Sequence, residues 1–251
     1  LGDAAHTAHF SVGSGTKMAM EDAIALAAAL EQHPDDTDTA LAHYEGAARP
    51  SVEKIQDSAR PSLSWWEHFG RYHDAFEPWQ FGYHFLTRSI GDQKLRRRDP
   101  GFVDSSHRAW RTAHGAEPAR TPLTMAGREL AGRVLAVDPA LTEAGDPAAG
   151  QTFDLRGEPE PRSEDGWGLL VAAPDDESGL EAVVEGVVAG LAAGPAFVAV
   201  HGGNAFTRVL VSEEIRLVHG TPTMIVEPQA DLDRATTLVL SGRADLVGVQ
   251  R

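Results

Sequence analysis

Four short, continuously apolar runs in the second half of the chain restrict the possible folds more than any other feature. Stretches of helical composition at 177–193, 208–218 and 232–240 separate them. A strand that is apolar along its whole length must be buried on both faces, and parallel strands joined by helices achieve this. The sequence therefore predicts parallel βα units with helices covering the sheet. The predicted strands are 169–172, 197–200, 223–226 and 245–249.

The segment before these units gives a weaker signal. Residues 134–137 form a short apolar run, whereas 138–163 are rich in glycine, proline and acidic residues. Because 138–163 show little periodicity, we expect them to form a loop.

The composition excludes several classes of protein. The 251 residues carry a formal net charge of -15, which argues against binding nucleic acid or an anionic membrane surface. There are no cysteines, so disulfide scaffolds, Cys-ligated zinc and thiol catalysis are excluded. No apolar run reaches the roughly 20 residues that span a membrane. A packed core in a cytoplasmic protein is expected, since 42% of the residues are hydrophobic.

The first thirty residues combine an early carboxylate, a glycine-rich loop and the start of a helix. Gly2 and Asp3 open the loop, Gly13 and Gly15 close it, and a helix is predicted over 18–30. Glycines let the backbone approach a ligand, and the N–H groups at a helix start attract an anion or a carbonyl oxygen. Asp3 adds an acceptor for hydroxyl groups. This is either a cofactor loop for a polyhydroxylated, partly anionic ligand or a tight turn with a helix cap.

Three short motifs define this region further: Gly2-Asp3-Ala4-Ala5-His6, Gly13-Ser14-Gly15 and Glu21-Asp22-Ala23. Together they resemble the second flavin-contacting motif of the FAD-dependent aromatic hydroxylases, the p-hydroxybenzoate hydroxylase-like monooxygenases. Residues 6–27 look most like the branch that acts on aryl-CoA thioesters, salicylyl-CoA or anthraniloyl-CoA. The resemblance implies that Asp3 binds the ribityl chain and that the helix start faces the pyrimidine edge of the flavin. The FAD contacts it implies are Gly2, Asp3, Ala4, Ala5, Gly13, Ser14, Gly15, Thr16 and Lys17.

One part of that family's cofactor site is missing from the sequence. The family holds the ADP half of FAD with a strand, a GxGxxG turn and a helix, and no such fingerprint occurs here. The chain opens at the flavin motif itself, without an initiator methionine. We expect a fragment whose upstream Rossmann half is absent.

Helical segments follow the flavin motif. The helix over 18–30 carries apolar side chains along one face, which is its expected packing face. Further helices are predicted over 39–48 and 51–60, with an interruption or kink at Arg49-Pro50. The apolar face of the first helix consists of Met20, Ile24, Ala27 and Leu30.

Residues 61–89 are the most aromatic region of the chain. They form either the core of a helix pair or part of an aromatic substrate pocket. Because 65–69 and 78–81 resemble the aryl-CoA hydroxylases in particular, the candidate substrate contacts are Trp65, Trp66 and Trp79.

One basic cluster stands out in this acidic chain, Lys94-Leu95-Arg96-Arg97-Arg98. It is either a solvated turn or a recognition site for phosphates, which arginine side chains suit. A CoA or FAD phosphate is the natural candidate, so Arg96 and Arg97 are further candidate substrate contacts. The small, polar stretch at 113–122 is expected to be an interdomain linker.

Segments 121–134, 222–226 and 241–247 carry a second resemblance, to the opening and the last two strands of the old-yellow-enzyme flavin barrels. Aryl-CoA hydroxylases of this kind carry such a barrel at their C-terminus. A complete (β/α)8 barrel needs about 250 residues, so the resemblance implies a shortened one. Gly242 and Arg243 match part of an FMN phosphate site. However, Glu227-Pro228-Gln229 puts a carboxylate and a proline where the family has glycines, so FMN binding is not expected.

Three further groups of polar residues are candidate sites. His201-Gly202-Gly203-Asn204 follows a predicted strand and is either a general acid–base group or, as we favour, a turn with a partly buried histidine. His6 and His9 lack a third ligand, so no metal is expected. Ser11 and Ser14 have no nucleophile elbow around them. No catalytic residue is assigned.

The sequence thus predicts an α/β protein in three parts. Residues 1–112 would be the flavin loop and α-helical part of an FAD monooxygenase, 113–122 a linker, and 123–251 an incomplete parallel β/α domain similar to a TIM barrel. The expected function is hydroxylation of an aromatic acyl-CoA with FAD, NAD(P)H and O2, with no turnover by the chain alone and a homo-oligomer left open. The alternative is a non-catalytic β/α module in which 168–251 bind a small ligand or a partner.

Overall fold

The structure is a computed structural model that describes residues 1–158 and 166–250. It divides into two compact units, Leu1–Phe69 and Gly70–Arg251. The helices are α1 (Gly15–Gln32), α2 (Thr37–Glu67), α3 (Phe69–Ala75), α4 (Pro78–Leu86), α5 (Asp92–Arg98), α6 (Pro100–His114), α7 (Leu180–Leu191), α8 (Ala205–Val218) and α9 (Leu232–Leu240). The strands are β1 (Leu123–Met125), β2 (Arg128–Leu130), β3 (Val134–Val137), β4 (Glu143–Asp146), β5 (Gln151–Arg156), β6 (Gly168–Ala172), β7 (Phe197–His201), β8 (Thr223–Glu227) and β9 (Leu246–Gln250).

The first unit consists of the N-terminal loop and two helices, α1 and α2, that pack against each other. Its packing differs from the expectation, because the buried residues of α1 are Met18, Asp22 and Ala29. Met20 and Ile24 are 63% and 71% exposed. The side of α1 that packs within this unit is therefore the one that carries Met18, Asp22 and Ala29, not the apolar face expected from the periodicity.

The helix α2 continues through both of its prolines, so an interruption at Arg49-Pro50 is excluded, while the alternative of a kink there stays a prediction. Pro50 and Pro61 both lie inside one helix that runs from Thr37 to Glu67. A proline removes one backbone hydrogen bond, and neighbouring bonds and packing can maintain the helix around it. Asp36 fixes the start of α2 by accepting the amide N–H of Thr39 at 3.1 Å.

The second unit joins a helical layer to a barrel through one apolar core. Tyr83, Leu95 and Trp110 of the helical layer pack in the same cluster as Leu238 of α9 and Val247 of β9. This shared core explains why the unit begins at Gly70 rather than after the predicted linker.

The segment predicted as a linker, 113–122, is packed into the second unit. Its first residues end α6, and Thr121 is buried. Thr121 Oγ1 accepts the indole N–H of Trp110 at 2.8 Å, and its carbonyl oxygen accepts Arg133 Nε–H at 3.2 Å. The small and polar composition reflects tight turns under a helix rather than an extended connection.

The barrel is closed and has seven strands, which corrects the expected incomplete barrel. The strand order is β3-β4-β5-β6-β7-β8-β9, and β3 pairs with β9 in parallel to complete the ring. The βα units predicted from the apolar runs are present as β6–α7, β7–α8 and β8–α9. The antiparallel hairpin β4–β5 supplies two further strands.

The hairpin lies in the segment that was expected to be a loop. Phe153 and Leu155 of β5 are buried, whereas Thr152 and Asp154, which alternate with them along the strand, are exposed. This alternation with a period of two residues is short and is flanked by glycine and acidic residues. The strand was therefore not predicted from the sequence. Residues 159–163 of the expected loop lie outside the described residues.

Side chains fill the barrel interior. Leu135, Phe153, Phe197 and Met224 belong to one buried cluster there. A Cβ on Gly248 would lie 2.7 Å from Val137 Cγ2, which is closer than real contacts allow. The barrel is therefore a packed core rather than a ligand cavity, as is usual for small βα barrels. None of the helices in the two described ranges is both long and apolar enough to cross a membrane.

Candidate functional site

The start of α1 presents backbone N–H groups that no side chain caps. Ser14 is the N-cap residue, but its hydroxyl donates to the Val12 carbonyl oxygen at 3.4 Å and makes no capping bond. The first turn holds Gly15, Thr16 and Lys17 and no acidic residue. Free N–H groups and the helix dipole together attract an anion or a carbonyl oxygen. This helix start therefore has the donors that a flavin edge requires.

The carboxylate of Asp3 lies beside this helix start. Asp3 belongs to a short 3-10 turn, Gly2–Ala4, and is exposed. Its Oδ1 is 3.9 Å from the place where a Cβ on Gly15 would stand. A hydroxyl acceptor and a set of N–H donors thus lie next to each other.

Two glycines shape the loop by adopting left-handed backbone. Gly2 has φ 60°, and a Cβ there would lie 3.3 Å from Ala19 Cβ on α1. Gly13 has φ 65° and ends a 3-10 turn just before α1 begins. Both conformations favour glycine, so the motif glycines are required by the backbone itself.

A buried carboxylate on α1, Asp22, anchors the loop, a role that was not predicted from the sequence. Asp22 is 2% exposed, and its Oδ2 accepts the Gly2 amide N–H at 2.8 Å and His6 Nε2–H at 2.7 Å. Burial, together with the nearby Asp22, raises the pKa of Tyr44. One signal could have revealed this anchor: Asp22 lies one helical turn after the buried Met18, on the packing side of α1.

The two loop histidines have separate partners. His6 contacts Asp22, and its Nδ1 is buried without a hydrogen-bond partner among the described residues. His9 Nδ1 lies 2.6 Å from Ser11 Oγ, which in turn contacts Ser62 on α2. Within 1–158 and 166–250, no group of three or more His, Asp or Glu side chains is arranged to hold a metal ion.

An open cavity of about 670 Å³ lies between the loop and α2. Ala5, His6 and Thr7 line its loop side, and Tyr44 and Gln56 are among the residues on its helix side. Gln56 Nε2–H donates to the Thr7 carbonyl oxygen at 2.7 Å and so ties the two sides together. Of the predicted FAD contacts, Ala5 lines this cavity.

Trp65 and Trp66 form an aromatic cluster within the first unit. Trp65 is buried, and its ring centroid lies 5.3 Å from that of Trp66 and 5.5 Å from that of Phe69, both edge-on. Trp66 and Phe69 stack at 5.8 Å, and Phe10 of the loop lies 5.8 Å from Trp66. These contacts favour a packing role for Trp65, while Trp66 keeps an exposed surface.

The other predicted substrate contacts lie in the second unit. Trp79 is partly buried and packs against the helical core. Arg96 pairs with Asp104, and its Nε lies 3.7 Å from Asp92 Oδ2. Arg97 is exposed. Trp79 thus belongs to packing, whereas Arg96 lines an open cavity of about 460 Å³.

The structure corrects the expectation that Gly242 and Arg243 form part of a phosphate site. Arg243 is buried, and its Nη2 and Nη1 donate to the His84 carbonyl oxygen at 2.8 Å and to Thr87 Oγ1 at 2.9 Å. Its Nε lies 3.4 Å from Glu213 Oε1. The guanidinium therefore binds protein groups of α4 and α8 and is not turned toward a ligand.

Glu213 is the centre of this buried network. Its Oε2 accepts the Tyr72 hydroxyl at 2.6 Å, and its Oε1 lies 2.9 Å from His84 Nε2. Burial would raise the pKa of Glu213, but His84 and Arg243 outweigh it and hold the pKa well below its usual range. Burial and the adjacent Arg243 lower the pKa of His84 to about 4. The network connects the helical layer to the barrel and so has a structural role.

His201 and the residues after it form the turn that the sequence analysis favoured. His201 ends β7, and Gly202 and Gly203 have φ 65° and 49°. Asn204 then caps α8 in a reciprocal capping box with Thr207. Burial, and the charge of a nearby arginine, lower the pKa of His201.

A second histidine network, which sequence reasoning missed, lines the cavity of about 460 Å³. His107 Nε2 lies 2.7 Å from Asp92 Oδ1, and His107 Nδ1 lies 3.0 Å from Glu117 Oε2. Tyr83 also donates to Asp92 Oδ1, at 2.7 Å. Burial opposes a charge on His107, but the bonds to Asp92 and Glu117 outweigh it and raise the pKa of His107. His107 therefore bridges the Asp92 and Glu117 carboxylates, and both contacts favour its charged form.

Comparison with known proteins points in the same direction as the loop. Over 249 residues, 99% of its length, the chain is 51% identical to a salicyloyl-CoA 5-hydroxylase from Streptomyces sp.. It is 55% identical over 65 residues to a 3-hydroxy-4-methyl-anthranilyl-[aryl-carrier protein] 5-monooxygenase from Streptosporangium sibiricum, covering 26% of this chain and 18% of that protein. It is also 55% identical over 47 residues to an FAD-dependent urate hydroxylase from Mycolicibacterium vanbaalenii, covering 19% of this chain and 12% of that protein.

The chain is therefore similar to hydroxylases and monooxygenases, one of which is named as FAD-dependent. It spans about half the length of the salicyloyl-CoA 5-hydroxylase, 47%, and a smaller share of the others. None of these relatives is named as an old-yellow-enzyme protein, so the comparisons do not support the expected fusion with such a barrel. No protein-family model and no solved structure matches the chain.

Proposed function

We propose that this chain is the flavin-closing and C-terminal part of an FAD-dependent monooxygenase that hydroxylates an aromatic acyl-CoA. The observation that carries the proposal is the 51% identity to salicyloyl-CoA 5-hydroxylase, which extends over 99% of this chain. Similarity of this extent includes both the flavin loop and the barrel, so it supports a shared role for the whole chain. In this proposal the division into 1–112, 113–122 and 123–251 describes ancestry rather than compact units.

The loop has the groups to hold one half of FAD. Asp3 would accept hydroxyl groups of the ribityl chain, and the N–H groups of Gly15, Thr16 and Lys17 would face the pyrimidine edge. Gly2 and Gly13 let the backbone approach, and the remaining contacts would be Ala4, Ala5 and Ser14. Nothing in the described residues resembles the glycine-rich turn that binds the ADP half.

When FAD is bound and reduced by NAD(P)H, it supplies the O2 chemistry that ring hydroxylation requires. The contribution of this chain is binding and electrostatics. The start of α1 would stabilise negative charge near the pyrimidine edge through its dipole. Asp22 would hold Gly2 and His6 so that the loop keeps its shape. No side chain in this chain has to act as a base.

The substrate contacts remain part of the proposal. Trp66 has an exposed aromatic face, and Arg97 is an exposed cation beside Arg96 on α5. An aromatic face suits the aryl group, and arginine suits the phosphates of CoA. Trp65 would support Trp66 by packing within the first unit, and Trp79 would support the helical core of the second unit.

A chimera tests the proposal. The 249 aligned residues of the Streptomyces enzyme would be replaced by this chain, and NAD(P)H- and O2-dependent hydroxylation of salicyloyl-CoA would be measured. We expect a flavin-containing chimera that forms the hydroxylated product. A chimera that folds but contains no FAD or gives no product would favour the alternative, a non-catalytic β/α module.

The chain by itself gives a complementary measurement. Because it holds only the flavin half, we expect no turnover and weak binding in an FAD titration, with a Kd above about 10 μM. Stoichiometric, tight FAD binding by this polypeptide alone would contradict the proposed division of the cofactor site.

A further inference from the structure

Three charged side chains meet at the carboxyl ends of the neighbouring strands β7 and β8. Glu227, the last residue of β8, is buried. Arg208 of α8 donates from Nη2 to Glu227 Oε2 at 2.6 Å, and Arg234 of α9 donates from Nε to Glu227 Oε1 at 2.8 Å. Two guanidinium groups against one carboxylate leave one positive charge in excess.

A buried donor that no protein group uses accompanies the excess charge. Arg208 is 6% exposed, and its Nε has no hydrogen-bond partner within the described part of the chain. Its Nη1 donates to the Gly202 carbonyl oxygen at 2.8 Å. Arg234 Nη2 lies 2.7 Å from Glu227 Oε1 but out of line for a hydrogen bond. A buried cation with an unused N–H is unfavourable unless an acceptor lies against it.

An open cavity of about 590 Å³ connects Arg234 with solvent. Pro228, Gln229 and Gln250, at the ends of β8 and β9, also line it. The carboxyl ends of parallel strands are where βα folds bind ligands. The rim carries Asp231, whose Oδ1 accepts the Arg234 amide N–H at 2.8 Å as the N-cap of α9. This exposed carboxylate limits the cavity to a ligand of low negative charge.

We propose that Arg208 and Arg234 bind a small oxyanion, a phosphate or a carboxylate group, at the carboxyl ends of β7 and β8. Side-chain guanidinium groups form this site instead of backbone amides, so Pro228 does not count against it. Glu227 does not oppose anion binding in this arrangement, because two arginines neutralise its carboxylate. The carboxylate therefore does not face a ligand as a free negative charge. The site lies in the second unit, so its test is independent of the flavin loop.

Thermal unfolding of the full chain, titrated with inorganic phosphate or with acetate, tests the proposal. Sodium chloride at matched ionic strength is the reference. We expect a saturable rise in the unfolding midpoint with an apparent Kd on the order of 1 mM. R234Q should lose this response, whereas R98Q, which removes an exposed arginine on α5, should retain it.

E227Q distinguishes an anion site from a simple ion pair. Removing the carboxylate should lower the midpoint without anion but tighten anion binding about tenfold, because the competing charge is gone. A response to phosphate alone or to acetate alone identifies the ligand group, and either supports the site. If neither anion raises the midpoint of the wild type above the chloride reference, or if E227Q binds no more tightly, the proposal is wrong.

His201 provides a second readout, since Arg208 contributes to lowering its pKa. An anion bound beside Arg208 should raise the pKa of His201, which an NMR titration of its ring protons would detect. A pKa of His201 that is the same with and without saturating phosphate and acetate would contradict the proposed position.

Discussion

Polar groups lie in opposite environments in the N-terminal loop and in the barrel unit. In the loop, Asp3 and the first N–H groups of α1 are exposed and uncapped. In the barrel unit, Glu213 and Arg243 are buried and bound to each other and to neighbouring helices. Unpaired polar groups on a fixed backbone indicate binding, whereas paired buried charges indicate support. Substitution of the exposed loop groups should therefore affect ligand binding, whereas substitution of the buried Glu213 network should affect stability.

The largest expected effect is that of Glu213→Ala. The substitution leaves Arg243 buried without its carboxylate partner, which costs about 3–5 kcal/mol in typical buried pairs. Urea unfolding of the full chain, followed by tryptophan fluorescence, would measure the loss. Glu214→Ala is the matched control, because Glu214 is adjacent but its partner Arg71 is partly exposed. The control should lose no more than about 1 kcal/mol, and equal losses would contradict a special role for the buried network.

Asp22→Ala tests the one buried carboxylate of the described part of the first unit. It removes the acceptor of the Gly2 amide and of His6, and leaving such donors unsatisfied costs about 1.5–3 kcal/mol. Hydrogen exchange at the Gly2 amide should also accelerate. Glu21→Ala is the control, since Glu21 pairs with Lys17 at the surface. If Asp22→Ala leaves both stability and exchange unchanged, Asp22 does not anchor the loop.

Gly2→Ala and Gly46→Ala should have opposite signs. Gly2 has φ 60° and Ala19 at close range, so alanine there should cost about 1–2 kcal/mol. Gly46 lies in α2 with no atom within 4 Å of an added Cβ, so alanine there should stabilise by about 0.5–1 kcal/mol. Thermal unfolding of both variants checks the signs. Equal signs would mean that the left-handed backbone at Gly2 is not required.

The smallest expected effect is the pH dependence contributed by His107. Its pKa is raised in the folded state, so its stabilising contribution is full below the unfolded pKa of about 6.5. The contribution is lost as the pH rises through the folded pKa. The difference in unfolding free energy between the wild type and His107→Gln should therefore shrink from pH 6 toward alkaline pH. A difference that stays constant across this range would show that folding does not raise the pKa of His107.

Part of this fold could be predicted from the sequence, and the reason is physical. The strands β6 to β9 are mainly apolar, with polar residues only at the ends of β7, β8 and β9, so their burial and parallel pairing could be predicted from composition. The hairpin β4–β5 was not predicted, because its alternation of buried and exposed residues covers only a few positions among glycines and carboxylates. Closure of the barrel depends on that hairpin, so the ring could not be foreseen.

The positions of the candidate site residues also differ in how far the sequence could predict them. The proximity of Asp3 to the start of α1 was predictable, because both lie in one continuous motif. The position of Arg243 was not, since its partners on α4 and α8 are more than twenty residues away in sequence. The excess charge around Glu227 was likewise hidden, because Arg208 and Arg234 come from two different helices. Long-range partners decide whether an arginine supports the fold or binds a ligand.

The central claim is that the N-terminal loop holds the flavin half of FAD, and the flavin content of the chimera tests it most directly. FAD per protein would be measured by absorbance after purification for the unsubstituted chimera, for Asp3→Asn and for Asp35→Asn, the last being an exposed control in the turn after α1. We predict full flavin content for the unsubstituted chimera and for Asp35→Asn, with a loss of at least about tenfold in FAD affinity for Asp3→Asn. Equal flavin content and affinity in all three proteins would contradict the claim.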